Sequence, residues 1–264
     1  MAKIQNTLGK VQILSGFSLK VIGVALMVID HLYEMFAPFG VPLVFHMIGR
    51  VCLPIFLFMV SEGFYYTHSR KKYLLRLLIG FWGMGLGNLL LSKLMPLDDV
   101  VLANNVFGTL FLSALYMYMR ELAIEGWKTK KPHLVLLAAA GVLLPLLSSY
   151  FIMFIINVSI PVARVAILLL PSILLTEGGF AAVILCFLFY LFHDVHPLIR
   201  MIPLAVVSIM SALGGGFQWM MIFAIIPLLM YNGTAGKKSK WFFYIFYPAH
   251  IYAFYMLSFL MHSL

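Results

Sequence analysis

The sequence has few charged residues and no long polar segment. Charged residues make up 10% of its 264 positions, hydrophobic residues make up 63%, and the mean hydropathy is +1.03. Soluble domains carry about 25% charged residues, so this chain has too few polar groups to cover a soluble surface. The composition excludes ordinary soluble, disordered and collagen-like proteins. It predicts an all-α, polytopic bundle of transmembrane helices, which leaves a transporter, a channel, a membrane enzyme or a scaffold.

Several chemical signatures are also absent. The two cysteines both lie inside apolar runs, so a disulfide framework is not expected. The sequence contains no G-x-S-x-G, C-x-x-C, H-E-x-x-H or Walker-type motif. Asp30, His31, Glu34 and Glu62 offer metal-ligand atoms, but their spacing matches no known metal motif, and we expect no metal site.

Acidic residues are scarce: 9 Asp and Glu stand against 18 Lys and Arg, a net charge of +9. The basic residues cluster between apolar runs, at positions 70–72, 128–131 and 237–240. This placement is typical of loops that face the cytoplasm and anionic lipids rather than of a nucleic-acid-binding surface. We therefore expect a multi-pass cell-membrane protein that contacts lipids, binds no nucleic acid and has a cytoplasmic N-terminus.

The apolar runs define the expected spans. Ten runs approach the ~20 residues that a membrane-spanning helix needs: 18–37, 43–66, 73–94, 102–120, 133–154, 161–175, 179–193, 198–213, 216–231 and 241–262. The run at 161–175 is short and bounded by prolines, and three glycines interrupt 198–231. We therefore predict nine or ten spans in a single domain over 1–264, with a possible interfacial helix at 1–17. Nine spans would place the basic 237–240 loop inside, and ten would place it outside.

The first span carries ionisable residues that are costly in a membrane. Eleven residues separate Lys20 from His31, which is about 1100° of helix rotation and a rise of ~16 Å, so both lie on one face. A cation at the mouth could hold a phosphate while a deeper histidine acts as a base. A snorkelling lysine and a hydrogen-bonded core histidine explain the same spacing.

Carboxylates lie beside this histidine. His31 and Glu34 are i, i+3 neighbours that can touch, whereas Asp30 faces another side and can meet Arg50 from the second span. A buried histidine next to a carboxylate is the usual arrangement of a general base. It is also common in proton relays of transporters, so the spacing leaves both interpretations open.

The last span contains a second intramembrane histidine, His250. Tyr247 lies three residues before it on the same helix side, and Pro248 favours a local kink. Such breaks persist where the freed backbone faces protein or a cavity. We predict that His250 shares a cavity with His31 or Glu62. An interfacial Tyr–His belt is the other interpretation.

Three stretches resemble a known family. They are LK at 19–20 leading to IDH at 29–31, GRVCLPIF at 49–56 followed by EGF at 62–64, and FYIFYPAH at 243–250. Together they are similar to the TraX family of membrane proteins, which is known for pilin N-terminal acetylation and is broadly related to acyltransferase-3 enzymes. Asn104 and Thr109 resemble a weaker middle element, and residues 125–235 carry no recognised motif.

The resemblance implies acetyl transfer from cytoplasmic acetyl-CoA to an amine or hydroxyl acceptor of the cell envelope. The residues it assigns to catalysis are His31, Asp30, Glu34, Glu62, Arg50 and His250, with Arg50 or His250 stabilising an oxyanion. Those it assigns to acetyl-CoA are Lys20, Arg70, Lys71, Tyr73 and Arg76, and those to the acceptor are Tyr247 and Asn104. Lys20 replaces an arginine of the acyltransferase-3 pattern, which keeps phosphate attraction without bidentate geometry. A homo-oligomer is compatible with all of this.

Two other functions are compatible with the same residues. One is a proton-coupled transporter or flippase that uses Asp30, His31 and Glu62 as a proton pathway. No inverted repeat is visible in the sequence, which weakens this interpretation. The other is a non-catalytic assembly factor with a vestigial site. Saturable binding of acetyl-CoA would separate the enzyme from both.

Overall fold

The structure, a computed structural model, describes residues 11–237 and 240–263. These residues are helical apart from turns, loops and one isolated β-bridge, which confirms the predicted all-α class. The α-helices are α1 (Gly16–Phe36), α2 (Val44–Gly49), α3 (Cys52–Tyr65), α4 (Arg70–Leu94), α5 (Val106–Lys128), α6 (Pro132–Ile155), α7 (Ile160–Leu169), α8 (Gly179–Leu191), α9 (Pro197–Leu213), α10 (Ile225–Leu229) and α11 (Lys240–His262). Short 3-10 helices cover Ala37–Phe39 and Phe217–Ala224.

Five helical segments of the described residues are long and apolar enough to cross a membrane. They are Gly16–Phe39, Val44–Tyr65, Arg70–Leu94, Pro132–Ile155 and Trp241–His262. Four more apolar helices are shorter, with 10–17 residues. The short ones explain why apolar runs alone overstate the number of long helices. The number of spans and their orientation stay predictions.

The two weak stretches of the sequence are irregular in the structure. The helix at Ile160–Leu169 has 10 residues, which at ~1.5 Å per residue is about half of a ~30 Å hydrocarbon core. The stretch 198–231 is broken at its glycines: α9 ends at Leu213, and Gly215 adopts a positive φ of 74°. A backbone of this kind favours glycine. The chain then packs back on α9 as a 3-10 helix.

The chain divides into two compact units. The first unit comprises the described parts of Met1–Met59, Leu91–Leu102 and Leu191–Leu264, and the second comprises Val60–Leu90 and Ala103–Tyr190. Each has its own apolar interior. Fully buried residues of the first unit include Leu19, Ile55 and Ile251, and those of the second include Leu112, Ile173 and Val183. The predicted single domain stays a prediction.

In the first unit, α1 and α11 run parallel to each other. Near their beginnings the Phe17 and Phe243 rings meet at 6.2 Å, and near their ends the Ser258 hydroxyl donates to the Met35 carbonyl at 2.8 Å. Because the beginning of α1 contacts the beginning of α11 and its end contacts the end of α11, the two helices run in the same direction. This pairing brings the ionisable residues of the first predicted span to those of the last.

The segments that lead into α1 and α11 are joined by backbone hydrogen bonds. The Leu14 amide donates to the Met230 carbonyl at 2.8 Å, and the Gly16 amide donates to the Thr234 carbonyl at 2.7 Å. These contacts hold the beginnings of both helices at one level and satisfy amides that a helix start leaves unpaired. Most of the interfacial helix predicted over 1–17 lies outside the described residues.

Candidate functional site

His31 and His250 are in direct contact. His31 Nδ1 lies 2.7 Å from His250 Nε2, and the rings lie edge to edge, with planes 23° apart and centroids 4.9 Å apart. Only 3% of His31 and 8% of His250 is exposed. The predicted proximity of two residues 219 positions apart is therefore confirmed. It arises because parallel packing of α1 and α11 places these two positions side by side.

Aromatic side chains of α11 enclose the histidine pair. The Tyr247 ring lies 6.1 Å from that of His31, and the Phe246 ring stacks on His250 at 4.9 Å. Phe254 meets His250 edge-on at 5.9 Å. Tyr247 and His250 are both buried, which fits a wall that faces the protein interior better than an interfacial belt. The enclosure keeps the dielectric low around the imidazoles, so polar contacts there are strong.

Glu34 lies on the other side of the His31 ring. Its Oε2 is 3.9 Å from His31 Nε2, and its Oε1 is 3.6 Å from Arg50 Nη2. Glu34 lies beside His31, as their i, i+3 spacing predicted. Glu34 therefore lies close both to the histidine pair and to a neighbouring charged cluster.

That cluster is centred on Asp30, a residue that is 5% exposed. Its side chain points away from His31. Arg50 forms an ion pair with one oxygen of Asp30, and His46 Nδ1 lies 3.0 Å from the other. The predicted meeting of Asp30 with Arg50 is thus confirmed. A Cβ built on Gly49 would overlap the Asp30 carboxyl, so the glycine before Arg50 is what lets α2 approach α1 so closely.

Two members of this cluster were missed from the sequence. The Arg50 side chain donates to the Gln218 Oε1 at 3.3 Å and to the His46 carbonyl at 3.4 Å. His46 lies one turn before Arg50, and Gln218 is the lone amide side chain in the apolar 216–231 stretch. Both features were visible signals, because an isolated polar residue in such a stretch needs a partner.

Ligand atoms of Asp30, Glu34 and His46 lie within 4.8 Å of one another, close enough to hold a metal ion. Arg50, however, contacts both carboxylates of this group. Its guanidinium supplies the positive charge that a metal would bring, so a cation there would have to displace it. The expectation of no metal site stays a prediction.

Lys20 lies near the beginning of α1, on the side that faces α11. Its ammonium is 5.5 Å from the centre of the Phe243 ring. Lys20 and His31 therefore both contact α11, which confirms the shared face predicted from their spacing. A cation placed against an aromatic face is stabilised by the ring quadrupole.

In the second unit, Arg70 is held by a carboxylate. Its guanidinium makes two contacts of 3.3 Å with Glu121, and the Tyr190 hydroxyl donates to the same carboxylate at 2.9 Å. The Arg70 guanidinium also donates to the Thr67 carbonyl. Because these partners already use its charge and donors, Arg70 is poorly placed to bind a phosphate as well. The sequence offered no signal for Glu121 as its partner.

Arg76 has a different environment. Its guanidinium lies 5.9 Å from the centre of the Tyr73 ring, and its buried Nε has no hydrogen-bond partner among the described residues. Lys71, near the beginning of the same helix, is exposed. Of the cations predicted to bind acetyl-CoA in this unit, Arg76 is the one with an unsatisfied buried donor.

The remaining predicted site residues also lie in the second unit. Glu62 is on α3 and is 4% exposed. The backbone carbonyl of Asn104, just before α5, accepts a hydrogen bond from the Asn88 side chain at 2.9 Å. Their proposed roles in catalysis and acceptor binding stay predictions.

These observations define a class: an all-helical protein with several helices long and apolar enough to cross a membrane, which carries buried ionisable side chains on the first, second and last of them. The profile of the family described as TraX protein matches residues 15–258. The chain therefore belongs to the TraX family. No curated protein and no solved structure matches it. The histidine pair and the Asp30–Arg50 contact come from the three stretches that carried the resemblance.

Proposed function

We propose that this protein is an integral membrane acetyltransferase. It would move an acetyl group from cytoplasmic acetyl-CoA to an amine or hydroxyl acceptor in or across the membrane. The observation that carries the proposal is the buried His31, hydrogen-bonded to His250 on one side and 3.9 Å from Glu34 on the other. A histidine in such a setting can take a proton from an acceptor and return it to a leaving group. The TraX resemblance and its link to acyltransferase-3 enzymes support the same chemistry.

The proposed reaction needs one proton acceptor. Acetyl-CoA supplies the acetyl group as a thioester, so that the acceptor forms the new acyl bond, the C–S bond breaks, and the thiolate takes up the proton that the acceptor loses. His31 carries that proton from the acceptor to the leaving thiolate. Glu34 stabilises the imidazolium that forms in between, and Arg50 holds Glu34 in place through its 3.6 Å contact.

The cations of the structure fit an anionic donor molecule in part. In the first unit, Lys20 lies on the His31 face of α1, against Phe243. In the second unit, the buried Nε of Arg76 lacks an acceptor among the described residues, which is what an anion site requires. Arg70 is already paired with Glu121, so we assign it a structural role rather than one in binding acetyl-CoA.

The direction of the helices bears on the predicted orientation. Because α1 and α11 are parallel, both would begin on the same side of the membrane. If they are the first and the last span, the total number of spans is odd. This favours nine spans over ten, and α7, with 10 residues, is short for the additional span that ten would require. An odd number of spans would put Lys237 on the same side as Lys20. By the positive-inside rule that side is the cytoplasm, where acetyl-CoA is found.

The proposal is tested with the purified protein in lipid nanodiscs. We expect saturable binding of acetyl-CoA, and acetylated envelope components, detected by mass spectrometry, in cells that carry the wild-type protein but not in cells that carry His31→Ala. The matched control is His133→Ala, since His133 is exposed on α6. A properly folded protein that binds no acetyl-CoA would overturn the proposal in favour of a transporter or an assembly factor.

A further inference from the structure

We infer that His250 is a positioning residue, which fixes the tautomer of His31 so that Nε2 is its basic nitrogen. The inference rests on the proposed function for its catalytic meaning. The hydrogen-bond directions on which it depends follow from the geometry alone. They start at the backbone of α11.

The first step concerns His250. Its Nδ1 lies 2.7 Å from the Phe246 carbonyl oxygen. A carbonyl can only accept, so Nδ1 of His250 carries a hydrogen and donates it. A neutral imidazole has one N–H, and Nε2 of His250 is therefore an acceptor.

The second step transfers this constraint to His31. Its Nδ1 lies 2.7 Å from the His250 Nε2, and since that nitrogen accepts, His31 Nδ1 must donate. The lone pair of His31 is then on Nε2. Glu34 Oε2 is 3.9 Å from Nε2, beyond hydrogen-bond distance. The basic nitrogen is thus available to a substrate, with a carboxylate nearby to stabilise its protonated form.

The third step excludes other parts for His250. Its single N–H is used on the Phe246 carbonyl, so it has no donor left for an oxyanion. That carbonyl cannot pass a proton on, so the pair does not continue as a proton path along α11. A charge on His250 would be buried against the Phe246 and Phe254 rings without a counter-charge, which is costly, so a neutral His250 is favoured. The geometry assigns His250 to orientation rather than to the oxyanion part that the sequence suggested.

The test compares two replacements of His250 in the full-length protein in nanodiscs. In His250→Gln, the side-chain carbonyl reaches far enough to accept from His31 Nδ1. In His250→Leu, the volume is similar but no acceptor remains. Nitrogen NMR with ¹⁵N-labelled histidine reports the tautomer of His31, assigned by the signal that His31→Gln removes.

We expect the Nδ1–H tautomer in the wild type and in His250→Gln, and a shift towards Nε2–H in His250→Leu. For acetyl transfer, we expect His250→Leu to lower kcat about 100-fold or more, since a wrong histidine tautomer is known to cost up to ~10⁴-fold in a catalytic triad. The KM for acetyl-CoA should stay within about twofold, and His250→Gln should recover activity to within about tenfold of the wild type.

Two results would overturn the inference. One is an Nε2–H tautomer of His31 in the wild type. The other is a His250→Leu protein whose His31 tautomer is unchanged. If His250→Leu fails to fold, the wild-type and His250→Gln spectra still decide. If the tautomers are as expected but His31→Ala transfers acetyl groups normally, His31 is not the base of the proposed reaction, although the positioning contact stands. If the wild type neither binds acetyl-CoA nor transfers acetyl groups, the proposed function fails, and the tautomers alone decide the positioning contact.

Discussion

Two neighbouring residues of α1, Asp30 and His31, lie in opposite environments. His31 faces aromatic rings and a second histidine, with short neutral hydrogen bonds. Asp30 faces Arg50 and His46, in a cluster of charged and polar groups. Adjacent residues of a helix project about 100° apart, so one turn of α1 serves both surroundings.

The difference indicates a division of labour around one helix. The histidine side has unused proton-accepting capacity at Nε2 and few charges. On the Asp30 side, each charge has an opposite partner, and those contacts join α1 to α2 and, through Gln218, to the segment after α9. The histidine side is suited to proton transfer, and the Asp30 side holds together the helices that position His31. Glu34, in reach of both, links the two.

His31→Ala removes the proposed base from the histidine side of α1. Because loss of a general base typically costs 10²–10⁴-fold, we expect acetyl transfer to fall by about 10³-fold, while the protein stays folded with a stability loss of about 1–3 kcal/mol from the lost hydrogen bond. Transfer rates with labelled acetyl-CoA and melting temperatures check both parts. Near wild-type turnover in this variant removes His31 from the mechanism, and a fall of the same size in His133→Ala would point to a general defect.

Arg50→Met should break the other side. It leaves Asp30 buried without its cation, which typically costs about 3–5 kcal/mol in the free energy of unfolding. Unfolding titrations of the protein in detergent micelles measure the change. The double variant Asp30→Asn/Arg50→Met removes both charges and should regain most of the loss. A loss below ~1 kcal/mol in the single variant would contradict a holding role.

Gln218→Leu tests how much the edge of the charged cluster contributes to stability. It removes one acceptor from Arg50, at 3.3 Å, and leaves the ion pair with Asp30. A single hydrogen bond of this kind is worth about 1 kcal/mol, so we expect a loss of that size in unfolding and little change in acetyl transfer. A loss as large as that of Arg50→Met would show that Gln218, and not Asp30, is the main partner of Arg50.

The smallest expected effect concerns Lys20, at the mouth of the histidine side. Lys20→Ala should weaken acetyl-CoA binding a few-fold, because a partly exposed charge pair contributes up to about 1 kcal/mol. Calorimetric titration at low and high salt measures it, and the difference from wild type should narrow as salt screens the attraction. Lys20→Arg should bind normally, and Lys93→Ala, an exposed lysine, serves as control. Equal affinity in Lys20→Ala and wild type would move the phosphate site elsewhere.

Local periodicity made part of the site predictable. The shared face of Lys20 and His31, the reach of Glu34 to His31, and the different direction of Asp30 all follow from 3.6 residues per turn. The interior position of Tyr247 and His250 followed from a proline and two polar side chains in an apolar span. Each of these predictions depends on residues of one helix only.

Partners from distant parts of the chain were less accessible. Gln218 was missed because a 3-10 segment brings it to Arg50 from 168 positions away, without a periodic signal. His46, one turn before Arg50, had such a signal and was overlooked. Arg70 was predicted to bind a phosphate from its place among basic residues. Its pairing with Glu121 depends on how α4 and α5 pack, which no local pattern contains.

Composition and apolar length were enough to predict the helical class, the long apolar helices and the ionisable residues that they contain, because these are local properties with large transfer free energies. The packing of the helices decided which of the candidate partners are in contact, such as His31 for His250. The hydrogen bond between His31 and His250 requires α1 and α11 to lie parallel, and the close approach of Asp30 and Arg50 requires the missing side chain of Gly49. Such contacts depend on the relative placement of whole helices. Packing sets that placement over more than 200 positions, out of reach of any helical repeat.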